Sequence, residues 1–273
     1  MPTRNHRESR RIAAAQPGSI ILDSPLGEKP NGGRPLRIVG VIPARLASTR
    51  LPRKILRPIA GRPMLAWVWE AAQACPQLDE LLVATDSEEI VDLCNQNGWR
   101  CQLTSPFLAS GTDRVHAVSQ TVDADVYVNI QGDEPLLKPE HITSLLLPFA
   151  NPQVEVSTLK VACTPENIHN PNAVKVVTAS DGRALYFSRA TIPYNRDGNP
   201  ALYWKHIGLY AYRKAALQQF PMLPASTLEH TERLEQLRFL ENGVNLYVEP
   251  TLFDTIGVDT EEDLRLVESI LMR

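Results

Sequence analysis

Between Ile38 and Ile130, short apolar runs alternate with stretches that read as helices, and this alternation constrains the chain more than any single motif. Ile38 to Ile42 is continuous and apolar, the pattern of a strand buried on both faces. Met64 to Ala74 is a helix of good formers ended by Cys75-Pro76. Leu81 to Ala84 is a strand, and Thr85-Asp86-Ser87-Glu88-Glu89-Ile90 opens a helix through Cys94. Residues 100–103 give a short strand, Ser110 to Arg114 open a helix to about Gln120, and Asp125 to Ile130 is apolar again. A βαβαβ order of this kind predicts a parallel, doubly wound sheet covered by helices on both faces.

The second half changes texture. Val154 to Val161, Val174 to Thr178 and Ala184 to Ser188 read as strands, with Asp181-Gly182 as a hairpin signal. Residues 189–204 are polar and turn-rich, and their Tyr194, Tyr203 and Trp204 suit a subunit interface better than a free surface loop. Lys205 to Tyr212 reads as a strand, Lys214 to Phe220 as a helix, and Leu228 to Asn242 as one longer helix stopped at Gly243. Val244 to Val248 and Thr260 to Met272 follow as strand and helix, the latter capped by Asp259 or Thr260. The expectation is one α/β domain over residues 37–273, with a mixed, mostly parallel sheet and a protruding β excursion.

Charge separates this body from what precedes it. Residues 1–36 hold six Lys/Arg against three Asp/Glu, leaving 22 against 28 for the rest of a chain whose net charge is −3. An acidic body argues against nucleic acid as the main partner. With five prolines, four glycines and little periodicity, residues 1–36 are expected to form a disordered extension. No apolar run approaches the roughly 20 residues of a membrane span, so no membrane insertion is expected. The four cysteines show no C-x-x-C spacing, which indicates neither zinc nor a disulfide framework and suits a reducing cytoplasm.

The chemistry concentrates after the first strand. Arg45, Arg50, Arg53 and Lys54 fall within ten residues, among small residues and two prolines, at the carboxyl end of a strand. Such ends are where open α/β sheets bind ligands, and rigidly placed cations beside exposed N–H groups suit a polyphosphate. A solvated basic loop is the plainer alternative. Neither G-x-G-x-x-G nor G-x-x-x-x-G-K-[ST] is present, so a dinucleotide fold and a Walker loop are both unsupported. Asp133 ends another strand of the same sheet, where a carboxylate beside a triphosphate serves Mg²⁺; a turn-forming Asp before Glu-Pro is the alternative.

Several further motifs stand in order along the chain. Ile42-Pro43-Ala44-Arg45, Ser48 to Pro52 with Lys54, Asn129 to Pro135, Asn172 to Val177, Leu185 to Pro193, His206 to Tyr210, Leu234 to Arg238 and Gly257 to Thr260 together closely resemble the CMP-Kdo synthetases (3-deoxy-manno-octulosonate cytidylyltransferases). The resemblance covers residues 37–273. It implies a Rossmann-like nucleotide-diphospho-sugar transferase fold, a homodimer, Mg²⁺, and transfer of CMP from CTP to the anomeric hydroxyl of Kdo for lipopolysaccharide or capsule. Transfer to another 2-keto sugar acid is the nearest alternative. By the same resemblance Ala44, Arg45, Arg50, Lys54 and Gln131 would hold CTP, with Ser110, Gly111 and Arg114 near the cytidine. Asp133 and Asp259 would bind the metal, and Arg50, Lys54, Asp133 and Asp259 would carry catalysis. Arg189, His206, Tyr210, Glu235 and Gln236 would line the sugar-acid pocket, offering Arg or His to its carboxylate. Without the resemblance, His206 and Tyr210 are equally polar core residues, Glu235 and Gln236 solvated helix positions, and Asp259 a helix cap.

The chain departs from the pattern at Arg53, where relatives carry glycine. If that position has a positive φ, arginine costs on the order of 1 kcal/mol of backbone strain, and the placement of Lys54 depends on it.

Overall fold

The computed structural model describes residues 34–48 and 50–273, so the expected extension lies outside the described residues except at its end. There Arg34 pairs through both terminal nitrogens with the carboxylate of Asp125 at 2.8 Å, so the described body begins before Arg37.

The strands are β1 (Ile38–Ala44), β2 (Pro58–Ile59), β3 (Arg62–Pro63), β4 (Glu80–Thr85), β5 (Cys101–Leu103), β6 (Val126–Asn129), β7 (Val156–Ala162), β8 (Lys175–Thr178), β9 (Ala184–Ser188), β10 (Trp204–Arg213) and β11 (Leu246–Pro250). The helices are α1 (Met64–Gln73), α2 (Glu88–Asn97), α3 (Gly111–Ser119), α4 (Pro139–Leu146), α5 (Pro165–Ile168), α6 (Lys214–Gln219), α7 (Thr227–Glu232), α8 (Gln236–Glu241) and α9 (Glu261–Leu271). The main sheet runs β11-β7-β10-β6-β1-β4-β5, with the β8–β9 hairpin attached to β10 through Lys175 and Lys205. β1 lies between β4 and β6, parallel to both, with Val41 level with Leu82 on one side and Asn129 on the other. β10 enters antiparallel to β6 and β7, which makes the sheet mixed as expected.

Because β1 and β6 are buried on both faces, apolar side chains leave them in two directions. Ile42, Val128 and Ile130 pack under α1 and α4, whereas Val39, Val41 and Tyr127 pack under α3 and α6. A third cluster joins Leu51, Ile59 and Met64 to Val258, Leu264 and Val267, seating α9 against the loop after β1 and the small β2–β3 hairpin. At roughly 1.5–3 kcal/mol for each buried aliphatic side chain, this contact is a main tie between the two ends of the described chain.

Four local expectations change. Helix α4 was not assigned from sequence, although Pro139 stands at its first turn, where the missing N–H costs nothing. The helix expected over 228–242 is two, α7 and α8, broken at Arg233 (φ 56°), whose N–H closes α7 on the Glu229 carbonyl. The break brings Leu234, Leu237 and Phe239 into the core, and with them Gln236, expected on a solvated face but only 5% exposed. Trp204, expected in the polar excursion, begins β10 and lies under the Lys160 ammonium at 4.9 Å. Among the described residues no helix is long and apolar enough to cross a membrane.

Arg53 adopts φ 57°, ψ 31°, the left-handed conformation, and its guanidinium contacts Glu89 on α2. The strain is therefore present, about 1–2 kcal/mol, and the exposed pair with Glu89 offsets at most about 1 kcal/mol of it. Arg53→Gly is expected to raise the thermal midpoint and Arg53→Val, β-branched at positive φ, to lower it. The reverse order in paired melts would contradict the left-handed assignment.

Candidate active site

The sheet ends in a cleft of about 360 Å³ over the carboxyl ends of β1 and β6. The loop after β1 supplies Arg45, Arg50 and Lys54, the loop after β6 supplies Gln131 and Asp133, and the start of α3 supplies Ser110 and Gly111. The two loops approach closely because Gly132 has no side chain. A β-carbon there would stand 3.0 Å from the Pro43 carbonyl oxygen and 3.2 Å from Ile55.

Asp133 and Asp259, 126 positions apart, meet here. Lys54 Nζ donates to Asp133 Oδ2 at 2.5 Å and to Asp259 Oδ1 at 2.9 Å, and Arg50 donates to Asp259 Oδ2 at 2.8 Å. Burial opposes the charge on Lys54, but the attraction of Asp133 and Asp259 outweighs it and raises the ammonium above its ordinary range. Asp259 is not the cap of α9. Thr260 caps it, in a capping box with Asp263, leaving the Asp259 carboxylate free to face the cleft.

Asp259 reaches the cleft by a coil and not from the end of a central strand. β11 lies at the sheet edge, three strands from β6, so the sheet does not deliver Asp259 to the cleft. The coil after β11 does, and it is pinned along its length. His141 of α4, fully buried, contacts the Phe253 carbonyl through Nε2 at 3.0 Å, and Lys205 Nζ donates to Asp254 Oδ1 at 2.7 Å and to the Thr255 carbonyl at 2.8 Å. The Val258 N–H then donates to the Asp133 carbonyl at 2.9 Å, fixing the two carboxylates' backbones together. Neither His141 nor Lys205 was singled out from sequence; no local signal marks a residue that acts by holding a distant coil.

The nucleotide-side residues divide by what they already bind. Arg45 is exposed in the cleft with no carboxylate partner among the described residues. Ser110 caps α3, its hydroxyl accepting from the Asp113 N–H at 3.1 Å, which leaves the first N–H groups of a nine-residue helix facing the cleft. Arg114, 3% exposed, is held by Asp86 at 2.5 Å and Thr104 at 2.6 Å, so it stiffens the wall beneath α3 more than it offers a free cation. Gln131 donates to Asn129 Oδ1 at 3.2 Å. Ala44 is fully buried in the core and is not part of the cleft lining, so its side chain has no contact to give a nucleotide.

The sugar-side residues gather beyond β6, around β10. His206 and Tyr210 stand 5.5 Å apart between ring centroids, and Tyr210 stacks on Tyr212 at 5.9 Å. Between them the register with β7 shifts, and the buried Thr158 hydroxyl holds the irregularity, lying 2.7 Å from the Leu209 carbonyl and 2.9 Å from His206 Nε2. With the hydroxyl proton given to Leu209, the imidazole proton sits on Nε2. Burial, and secondarily Lys205, lowers His206 to about 3, so the ring is neutral. A desolvated imidazole beside an ammonium does not take a second proton, so what His206 can offer a carboxylate is a hydrogen bond and not a charge.

Glu235 is hydrogen-bonded to Thr112 of α3 and its carboxyl is raised, by burial first. Burial raises the Tyr210 phenol well above its ordinary value, with smaller contributions from Tyr212, Glu235 and Glu134. Glu134 itself is pushed up to about 7 by burial and then by the neighbouring Asp133 charge. Arg189 stands apart from the cleft lining, donating through Nε to the Glu232 carbonyl at 2.8 Å and through Nη1 to the Pro171 carbonyl at 3.0 Å.

The donor set at Asp133 and Asp259 fits Mg²⁺. Two hard carboxylates converge beside Arg45 and Arg50 in a cleft, and Mg²⁺ characteristically takes one or two carboxylates and completes its shell with water and phosphate. Among the described residues no group of three or more Asp, Glu, His or Cys forms an all-protein cage, which a structural zinc site would need.

The cytidylyltransferase family profile matches residues 39–249. The 3-deoxy-manno-octulosonate cytidylyltransferase of Acidobacterium capsulatum is 62% identical over 238 residues, which are 87% of this chain and 97% of that protein. The protein of the same name from Koribacter versatilis is 60% identical over 86% of this chain and 90% of its own length. A solved CMP:2-keto-3-deoxy-manno-octonic acid synthetase, complexed with CTP, superposes with a TM-score of 0.84 at 40% identity, covering 86% of this chain and 98% of that one. The cleft, its paired carboxylates and these likenesses agree, and the chain belongs to the 3-deoxy-manno-octulosonate cytidylyltransferase family.

Proposed function

We infer that the protein transfers CMP from CTP to the anomeric hydroxyl of 3-deoxy-D-manno-octulosonate (Kdo), releasing pyrophosphate. The observation that carries this reading is the convergence of Asp133 and Asp259 on Lys54, beside Arg45 and Arg50, in one cleft. Attack of a hydroxyl on the α-phosphorus builds charge on its non-bridging oxygens and on the departing pyrophosphate. Arg45, Arg50 and Lys54 hold that charge, and the N-terminus of α3, with Ser110 and Gly111, holds the nucleotide end. Arg114 and Gln131 stiffen the walls of this nucleotide site. Asp133 and Asp259 would hold Mg²⁺, which would neutralise phosphate charge further.

The sugar acid takes the β10 side. His206, neutral, and Tyr210 orient it by hydrogen bonds, while Glu235 and Gln236 meet its hydroxyls. Positive charge for its carboxylate falls to Arg189 in this reading, which requires the guanidinium to leave the Glu232 and Pro171 carbonyls and turn toward β10. A CTP-consuming reaction of this kind belongs in the cytoplasm. Incubation with CTP and Kdo should release pyrophosphate, and omission of Kdo should abolish it. A panel of other 2-keto sugar acids turned over as well as Kdo would move the assignment to a relative's substrate.

Asp259→Asn tests the metal role. Thr260 caps α9, the exposed pair of Asp259 with Arg50 is worth about 1 kcal/mol or less, and Lys54 keeps Asp133 as a partner, so the thermal midpoint should move little. Turnover should fall by about a hundredfold or more, since the charge that a hard cation needs is gone. Undiminished turnover with Mg²⁺ would remove Asp259 from the metal site.

The chain also acts as a homodimer in this reading, with the segment after β9 at the interface. Tyr194 there is 86% exposed and Leu202 60%, two large apolar side chains in one segment that a subunit contact would cover. Light scattering is expected to give twice the 30.4 kDa chain mass, and Tyr194→Arg to shift it toward the monomer. A monomer at micromolar concentration would reject the dimer.

A further inference from the structure

Two buried side-chain atoms on the β10 side have no hydrogen-bond partner: Glu134 Oε2, an acceptor, and Gln236 Nε2, a donor. Leaving such an atom dry costs about 1–3 kcal/mol, which a fold tolerates where a ligand later supplies the partner. Donor and acceptor needs together match hydroxyl groups, which are both.

A glycine lies in front of Glu134. Gly208, within β10 between His206 and Tyr210, does not have the positive φ that would call for glycine. A β-carbon at Gly208 would meet only Glu134 Oε1, at 3.7 Å, with other space open. Gly40 in β1 is the contrasting case, since a β-carbon there would be 2.8 Å from Leu78 and 2.9 Å from Leu81. Packing excludes a side chain at Gly40, but nothing in the protein excludes one at Gly208. A strand glycine with open space before it marks a close approach by something else.

We propose that Glu134 reads the sugar: its carboxyl, whose Oε1 faces the bare backbone of Gly208 and whose Oε2 has no partner, accepts a hydroxyl from the polyhydroxylated acid. This rests on the proposed function and gives a role to Glu134, which the motif from Asn129 to Pro135 contains without one. A buried acceptor without its hydroxyl discriminates strongly, because an analogue lacking that group leaves the acceptor unpaired.

Glu134→Met, similar in length and apolar, removes the acceptor together with the unpartnered oxygen. The thermal midpoint should hold or rise, KM for CTP should stay within about twofold, and kcat/KM for Kdo should fall by about tenfold or more. Across a series of Kdo analogues each lacking one hydroxyl, the gap between wild type and variant should close for one analogue only. Gly208→Ala is the independent arm, expected to raise KM for Kdo without moving the melt or KM for CTP. An unchanged Kdo kcat/KM in both variants, a matching loss for CTP, or a gap equal for every analogue would each overturn the inference. Wild type that releases no pyrophosphate with Kdo would overturn the underlying reading and the inference with it.

Discussion

The Lys54 ammonium, held between Asp133 and Asp259, is the contact on which the site's geometry turns. Two carboxylates brought to one point repel by a few kcal/mol even at a surface-like effective dielectric. Lys54 neutralises part of that, but two other constraints keep the aspartates together. One is the backbone bond from Val258 to the Asp133 carbonyl; the other is the apolar cluster of Leu51, Ile59, Met64, Val258, Leu264 and Val267. Six side chains at about 1.5–3 kcal/mol each outweigh the repulsion. Packing therefore holds the charges in place, and the ion pairs set only their final orientation.

Cost is concentrated at the same place. Arg53 sits in the left-handed region immediately before Lys54, and Glu134, with a dry oxygen, immediately follows Asp133. Each is worth on the order of 1–3 kcal/mol against folding. A fold stabilised by only about 5–15 kcal/mol carries such defects where they position something, and these two flank Lys54 and Asp133, the ion pair at the centre of the cleft.

Much of this was legible in the sequence, and the illegible part has a common cause. The alternation up to Ile130 gave the parallel half of the sheet, because period and capping are local. The basic loop and Asp133 fell at strand ends for the same reason. The path of Asp259 was not legible because a coil, held by His141, Lys205 and Asp133, carries it, and such contacts have no sequence period. The break at Arg233 was missed because helix propensity over 228–242 is good throughout. Only the tertiary gain from turning Leu234, Leu237 and Phe239 inward overrides it. The neutral state of His206 was not legible, since its charge depends on burial, which no motif encodes.

The resulting distribution of charge separates the two substrates. Arg45, Arg50 and Lys54 stand on the β1 side, whereas the β10 side offers a neutral imidazole, phenols, an amide and the carboxyls of Glu134 and Glu235. A triphosphate entering the β10 side would meet acceptors and no free cation from β10, and would lose its hydration without replacement. A polyol there loses little, because hydroxyls bond equally to acceptors and donors. In the proposed reaction the antiparallel insertion of β10 beside β6 does this work. It sets a surface rich in hydrogen-bonding groups against one rich in charge, so that CTP binds in one orientation and the sugar acid meets its α-phosphate.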